Sequence, residues 1–179
     1  MILHLIRHPK PLIKPGICYG QLDISAENPA SLAFELRQKI PLDVPVWSSP
    51  LKRCRALAEA LHPAPQFDDR LMEMNFGEWE GRPWDEVPRA ELDAWANDIA
   101  HYMPPGGESA FQVQQRLSDF FAKNNSAEMA LVTHAGVIKI LLSSHKKQRL
   151  SSVLGQSIPY GGLTTIYSFC HISISLNGR

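Results

Sequence analysis

Three short apolar runs, each ending abruptly in polar residues, are the feature that most constrains how this chain folds. They cover residues 2–6, 44–47 and 130–133, and only His4 interrupts the first of them. Continuous apolar runs of this length are typical of strands buried on both faces, as in parallel sheets that are covered by helices. We therefore predict an α/β protein whose strands lie in one mostly parallel sheet, with the following polar residues at its carboxyl edge.

The segments between these runs predict helices and one further strand. Apolar side chains at helical spacing, and a cap such as Ser49 before Pro50, favour helices over several of them. The predicted helices cover residues 28–39, 50–61, 88–101, 109–121 and 137–143, and a last strand covers residues 163–169 before a short polar tail. Residues 70–110, rich in acidic side chains and tryptophan, are predicted to form a helical insertion over the ligand end of the sheet. With no linker or repeat, residues 1–179 are expected to form one domain.

The charge balance weighs against two classes of partner. The 179 residues include 18 basic and 18 acidic side chains, so no overall field attracts nucleic acid or a membrane surface.

Cys18, Cys54 and Cys170 lie far apart and show no metal spacing, which favours a reducing compartment. The beginning of the sequence lacks the pattern of a signal peptide, and no apolar run approaches the roughly 20 residues that span a bilayer. We expect a cytoplasmic protein.

Four cationic or imidazole side chains follow the predicted strands. Arg7 and His8 end the first strand, Arg53 lies in the first turns of the helix after the second, and His134 follows the third. If the strands are parallel, these groups share one edge, where two guanidinium groups and helix amino termini suit a phosphoryl group. A neutral His8 could attack phosphorus and form a covalent intermediate, since neighbouring cations disfavour its protonated form. His134, as a cation, could stabilise charge on the phosphoryl oxygens.

Such chemistry also needs an acid that protonates the leaving oxygen and later activates water. Glu73 is the candidate, because it lies in the insertion and could reach the same edge. Three other interpretations stay open: metal-dependent hydrolysis with His8 and His134 as ligands, a non-catalytic phosphate-binding or partner-binding domain, and a mutase that transfers the phosphoryl group to a second hydroxyl. The flanking arginines would repel a divalent cation, which weighs against the first.

Five motifs, in this order, resemble the histidine phosphatase (phosphoglycerate mutase-like) superfamily. They are LIRH (5–8), SSPLKR (48–53), LME with FGEWEG (71–81), PGGES (105–109) and VTHAGV (132–137). The resemblance covers about residues 2–170 and implies a three-layer α/β/α fold of the phosphoglycerate mutase type. It implies hydrolysis of a phosphomonoester through a phosphohistidine on His8, with Glu73 as proton donor and then base. The short chain and the FGEWEG loop are similar to the small phosphatase branch, especially α-ribazole-5′-phosphate phosphatases.

The resemblance further implies a small-molecule phosphomonoester as the partner, with no cofactor and no metal. The implied substrate contacts are Arg7, Arg53, His134, Ala135, Lys14, Tyr19 and Gly20. The chain departs from the superfamily's usual pattern in three places: Pro9-Lys10 replaces Gly-Glu, Lys14 replaces an asparagine, and Asp-Ile-Ser-Ala at 23–26 replaces Asp-x-Pro-Leu. Lys10 and Lys14 keep this wall polar and add positive charge, so the departures bear on the choice of substrate.

Overall fold

A five-stranded sheet lies at the centre of the structure, a computed structural model in which residues 1–170 are described. The strands are β1 (Ile2–Arg7), β2 (Val46–Ser48), β3 (Gln66–Phe67), β4 (Glu128–Thr133) and β5 (Leu163–Ile166). Their order across the sheet is β3-β2-β4-β1-β5. The pairs β3–β2, β2–β4 and β4–β1 are parallel, and β5 is antiparallel to β1. The prediction of a mostly parallel sheet is confirmed.

Helices cover both faces of this sheet and complete three layers. The helices of the described residues are α1 (Pro29–Leu36), α2 (Lys52–Leu61), α3 (Arg89–Asn97), α4 (Ala110–Lys123), α5 (Ala135–Lys146) and α6 (Leu150–Leu154). Because successive side chains of a strand point to opposite faces, Leu3 and Leu5 pack with α4 and α5, whereas Ile6 packs with α1 and α2. Burial on both faces explains the unbroken apolar runs in the sequence. The three-layer α/β/α fold is confirmed.

Helix α2 begins two residues later than the sequence predicts, and its cap comes from elsewhere in the chain. Its first residue is Lys52, whose backbone N–H donates to the Asp23 carboxylate at 2.7 Å. A carboxylate from a distant loop therefore caps this helix and complements its dipole. The prediction that Ser49 is the N-cap is wrong: its hydroxyl lies 2.9 Å from the ring of His134 instead.

The other predicted elements are present with different limits. Helices α1 and α3 are shorter than predicted, α5 extends further at both ends, and β5 ends at Ile166. The short elements β3 and α6 were not predicted, because two and five residues are too few to show a period. His4 is satisfied by neighbouring strands, with its ring 3.0 Å from the Thr165 hydroxyl and 2.7 Å from Glu128. Apart from Cys170, the predicted polar tail lies outside the described residues. Within residues 1–170, no helix has the length and apolar character needed to cross a membrane.

The insertion consists of three 3₁₀ turns and helix α3. The turns are Asp69–Leu71, Gly77–Trp79 and Trp84–Glu86. The rings of Trp79, Trp84 and Trp95 pack with centroids 5.8 to 6.2 Å apart, and Trp79 is buried. This aromatic cluster includes Cys18, so the insertion packs against the loop that leads from β1 to α1. The tryptophans therefore form a small core of their own beside the carboxyl edge of the sheet.

Candidate active site

The carboxyl ends of β1 and β4 bring the two predicted site histidines together. Arg7 pairs in register with Thr133, so His8 and His134 leave the sheet side by side. The His8 N–H donates to Thr133 O at 3.0 Å, and the two imidazole centroids are 5.2 Å apart. Arg53 belongs to the first turn of α2, which follows the neighbouring strand β2. The convergence follows from the parallel topology, because the strand ends share one edge.

One ring nitrogen of His8 is hydrogen-bonded to the backbone, which defines its tautomer. The Nδ1 atom lies 2.6 Å from Pro9 O. Since a carbonyl oxygen can only accept, Nδ1 carries the proton and the neutral ring keeps a lone pair on Nε2. Burial, followed by the charges of Arg53 and Arg7, lowers the pKa of His8 to about 3. The ring is therefore neutral at neutral pH, as a nucleophilic imidazole must be.

Arg53 is fully buried and is held by main-chain carbonyl groups. Its Nη1 donates to Leu22 O at 2.8 Å, its Nη2 to Gly20 O at 2.6 Å, and its Nε to His134 Nδ1 at 3.3 Å. Within the described residues, three of its five N–H groups are used in this way, which leaves two for a ligand. Gly20 is required at its position, because a Cβ there would lie 2.1 Å from Met74 O.

The pKa of His134 is lowered in this structure, which favours the neutral ring, and its role as a cation beside a phosphoryl group stays a prediction. Burial is the main cause, and together with the charges of Arg53 and His8 it holds the pKa of His134 well below the usual range. Because Arg53 Nε donates to Nδ1, the proton of the neutral ring lies on Nε2, which is 2.9 Å from Ser49 Oγ. Both ring nitrogens of His134 therefore have partners in this structure, Nδ1 with Arg53 and Nε2 with Ser49.

Arg7 lies against an aromatic ring, and one of its donors is unused. Its Nη1 donates to Ile158 O at 2.5 Å, and its Nε is buried with no hydrogen-bond partner among residues 1–170. The guanidinium carbon lies 3.8 Å from the ring centroid of Tyr160. The Tyr160 hydroxyl is 2.7 Å from that of Tyr19, whose own ring centroid is 5.4 Å from the guanidinium of Arg53. Each arginine of the pocket therefore has one tyrosine ring beside it.

Glu73 extends from the insertion to the amino terminus of α5. Its Oε2 accepts the Gly136 N–H at 3.0 Å, and its Oε1 accepts the Met74 N–H at 3.0 Å. A Cβ on residue 136 would lie 2.4 Å from Oε1, so the absence of a side chain there makes room for the carboxylate. The main-chain oxygen of Glu73 accepts from Arg116 at 3.1 Å. The carboxylate is thereby fixed next to the helix that begins directly after His134.

Of the remaining predicted substrate contacts, Ala135 lies at the site, and Lys14 is an exposed residue whose contact with a substrate stays a prediction. Ala135 is the first residue of α5, directly after His134. Lys14 is exposed in the loop after β1, and in the described part of the chain no contact joins it to the buried pocket. Lys10 forms an exposed ion pair with Glu27 at 3.2 Å. The charge of Lys10 is therefore directed at Glu27, and that of Lys14 at solvent.

Sequence reasoning missed several residues that shape the pocket. These are Ser49 as a partner of His134, Gly136 beside Glu73, Tyr160 beside Arg7, and the Glu108–Arg116 pair. The Glu108 carboxylate lies 2.8 Å from Arg116 and accepts the Asn75 N–H at 2.9 Å, so the pair braces the segment that carries Glu73. Glu108 lies in the PGGES motif and Gly136 in the VTHAGV motif, and this membership was the only indication in the sequence that they belong to the site. In residues 1–170, no three His, Cys, Asp or Glu side chains are grouped closely enough to hold a metal ion.

Fold and site together define an α/β protein with basic side chains at the ends of parallel strands, an arrangement that suits an anion. Two arginines and two imidazoles surround the pocket, with one carboxylate at the adjacent helix terminus. The family model of the histidine phosphatase superfamily (branch 1) matches residues 3–169. The chain belongs to this superfamily.

Proteins named as phosphatases are among its relatives. Glucosyl-3-phosphoglycerate phosphatase of Mycolicibacterium vanbaalenii is 31% identical over 168 residues, which cover 79% of this chain and 72% of that protein. Adenosylcobalamin/alpha-ribazole phosphatase of Escherichia coli is 31% identical over 85 residues, which cover 44% of this chain and 42% of that one. The crystal structure of phosphoglycerate mutase from Thermus thermophilus has a TM-score of 0.77 at 27% identity, covering 97% of both chains. The similarities support a phosphatase, and the relatives are named for different substrates.

Proposed function

We propose that this protein is a cofactor-independent phosphomonoesterase that hydrolyses a small phosphorylated metabolite through a phosphohistidine on His8. The observation that carries the proposal is the hydrogen bond from His8 Nδ1 to Pro9 O, which leaves an unprotonated Nε2 in the field of Arg7 and Arg53. Membership of a superfamily of phosphatases supports the same class of reaction.

Two steps account for the chemistry. In the first, His8 Nε2 bonds to phosphorus while the ester P–O bond breaks, and Glu73 gives a proton to the departing oxygen. In the second, a water oxygen bonds to phosphorus as Glu73 takes one of the water's protons. The N–P bond breaks, its electron pair returns to Nε2, and inorganic phosphate leaves. Glu73 thus ends the cycle with the proton it gave in the first step.

The charges around His8 suit a phosphate dianion. The pKa values of both imidazoles are lowered, and the charges of Arg7 and Arg53 contribute to this, with the charge of Lys139 close to Arg7 and Glu73. Arg53 has two N–H groups left for phosphoryl oxygens, and Arg7 has its buried Nε. Coulombic attraction is strong in a buried site, and preformed donors need no reorganisation as charge develops on the phosphoryl oxygens.

For the substrate, we propose a phosphomonoester of the α-ribazole phosphate kind. The FGEWEG loop and the partial match to the Escherichia coli adenosylcobalamin/alpha-ribazole phosphatase support this choice. A panel of α-ribazole phosphate, 3-phosphoglycerate, sugar phosphates and nucleotides tests it. We expect the largest kcat/KM for α-ribazole phosphate, and a higher value for any other member of the panel would contradict the choice.

Trapping the intermediate tests the reaction itself. Wild-type protein is mixed with a phosphomonoester labelled at phosphorus and quenched, and we expect protein-bound label that is stable in alkali and labile in acid. His8→Ala should carry none and should lose activity by about 10³-fold or more. His62→Ala, a partly exposed histidine outside the pocket, serves as the matched control and should label normally. Labelling of His8→Ala at the wild-type level would overturn the assignment of the nucleophile.

A mutase is the second candidate, favoured by the structural similarity to a phosphoglycerate mutase. It would pass the phosphoryl group from His8 to a second hydroxyl instead of to water. Product analysis with 3-phosphoglycerate separates the two activities. Release of one inorganic phosphate per ester consumed supports the phosphatase, whereas formation of an isomeric phosphoester without phosphate release would establish the mutase.

A further inference from the structure

Tyr160 stands between the candidate nucleophile and solvent. His8 is 1% exposed, and its ring contacts two others, that of His134 at 5.2 Å and that of Tyr160 at 5.7 Å between centroids. His134 is fully buried, whereas Tyr160 is 43% exposed, so of these two rings that of Tyr160 is the one on the solvent side of His8. The Tyr160 hydroxyl lies 2.7 Å from that of Tyr19, which belongs to the loop between β1 and α1. The two phenols therefore join the two sides of the pocket.

The same ring is stacked on the guanidinium group of Arg7. The guanidinium carbon is 3.8 Å from the ring centroid, and the buried Nε has no hydrogen-bond partner among residues 1–170. A phosphoryl group that approaches His8 Nε2 from the side of Tyr160 must pass this ring. Phosphate is bound by guanidinium N–H groups in the guanidinium plane, so a charge-assisted hydrogen bond to the Arg7 Nε can offset the loss of the stacked ring.

The backbone on both sides of Tyr160 is anchored by hydrogen bonds, so the freedom left to this residue is rotation of its side chain. On one side, Ile158 O accepts from Arg7 Nη1 at 2.5 Å. On the other, the Gly161 N–H donates to His8 O at 3.1 Å, and the Arg7 N–H donates to Gly162 O at 3.0 Å. The chain on both sides of Tyr160 is thereby fixed to the end of β1. Rotation of the ring about its own side-chain bonds breaks its contacts with the Arg7 guanidinium and the His8 ring and its hydrogen bond to Tyr19, and leaves these backbone bonds in place.

We propose that Tyr160, held by its hydrogen bond to Tyr19, is a movable cover that must rotate away before a phosphoryl group can reach Arg7 and His8. The proposal depends on the proposed function only for the identity of the ligand. The cover itself is a property of the pocket and can be tested without turnover.

Chemical modification of His8 measures the opening directly. Diethyl pyrocarbonate reacts with neutral imidazole, and peptide mass mapping follows His8 separately from His101, whose exposed side chain is the internal standard. Because a buried group reacts only from its open population, we expect His8 in Tyr160→Ala to react about tenfold faster than in wild type. Tyr160→Phe and Tyr19→Phe keep the rings and lose the phenol bond, and a smaller increase of about threefold is expected. Tyr167→Ala, at a tyrosine that is 68% exposed, is the matched control and should leave the rate unchanged.

Binding of inorganic phosphate gives the second measurement. If the cover is closed part of the time, only the open fraction of the molecules can bind phosphate, and the apparent affinity is reduced in proportion to that fraction. Tyr160→Phe lacks the bond that holds the cover closed, so it should bind phosphate about threefold more tightly than wild type in isothermal titration. Weaker phosphate binding with unchanged His8 reactivity would overturn the proposal and make Tyr160 a fixed wall of the site. Faster His8 modification in a protein that forms no phosphohistidine would leave the cover standing and reject the proposed reaction. Normal phosphohistidine formation together with equal His8 reactivity in all variants would reject the cover and leave the proposed reaction standing.

Discussion

Replacing Gly136 with alanine would add one methyl group where α5 meets the Glu73 carboxylate. The new Cβ would lie 2.4 Å from Oε1 and 3.1 Å from Cδ. Nonbonded contacts below 3.0 Å are not tolerated, so the carboxylate must retreat by at least about 0.6 Å. Because Oε1 and Oε2 belong to one rigid carboxylate, that retreat also weakens the 3.0 Å bond from the Gly136 N–H to Oε2. The substitution therefore moves the proposed acid without altering its chemistry.

Rate and stability should respond differently to this change. Misplacement of a reacting group by about 1 Å costs roughly 10²-fold in rate, so we expect kcat to fall by about 10- to 100-fold. Alanine in place of a helical glycine stabilises by up to about 1 kcal/mol, while the weakened hydrogen bond of the half-buried Glu73 costs up to about the same. The free energy of unfolding should therefore change by less than about 1 kcal/mol.

Steady-state kinetics with two esters separates misplacement from general damage. An alkyl phosphate needs a proton on its leaving oxygen, whereas p-nitrophenyl phosphate does not, so the loss should be larger for the alkyl ester. Gly155→Ala is the matched control, because a Cβ there meets nothing within 4 Å. Equal losses for both esters, or full activity of Gly136→Ala, would refute the reasoning that Glu73 must lie against α5 to act as the acid.

Two further predictions concern acid stability and the support of Glu73. In the folded protein the pKa of His8 is lowered to about 3, and that of His134 is lowered well below 6.5. The unfolded chain therefore binds more protons than the folded one as the pH decreases. The free energy of unfolding is highest above about pH 6.5 and falls below that pH. In urea unfolding, His8 alone should lower the free energy of unfolding by about 2 kcal/mol between neutral pH and about pH 5. If His8→Gln loses as much of its free energy of unfolding over this range as wild type does, the reasoning is contradicted. Arg116→Lys removes the planar fork that joins Glu108 to Glu73 O, and kcat for an alkyl phosphate should fall about 5- to 20-fold. Arg89→Lys, an exposed arginine, is the control, and equal kcat in the two variants would reject a positioning role.

The sheet and the convergence of the four basic groups could be predicted because both depend on local patterns. Buried parallel strands leave continuous apolar runs, and the first polar residues after them lie at one edge. The cap of α2 could not be predicted in the same way. Ser49-Pro50 has the local pattern of a helix start, yet the cap is Asp23, which lies 29 positions earlier than Lys52 in the chain and reaches it through tertiary packing.

The position of Tyr160 shows a second limit of sequence reasoning. The stretch before β5 contains proline, tyrosine and two glycines, which indicate a turn. Its place beside Arg7 depends on the antiparallel pairing of β5 with β1, in which Leu163 is opposite Ile6. No local pattern specifies which strand will be the neighbour. The charge of His134 is a similar case, because it depends on complete burial next to Arg53 and not on residue type.

The partners of the arginines distinguish those that hold the fold from those available to a ligand. Arg116 is paired with the Glu108 carboxylate at 2.8 Å, which cancels its charge. Arg7 and Arg53 are held by carbonyl oxygens and lie beside aromatic rings, and within residues 1–170 neither forms a salt bridge with a carboxylate. Such partners fix the geometry and leave the charge intact. Two uncompensated cations in a buried pocket lower the pKa of both histidines and oppose folding. The arrangement suits a dianion, because the charges of Arg7 and of the fully buried Arg53 lower the pKa of both histidines and are not cancelled by a salt bridge among residues 1–170.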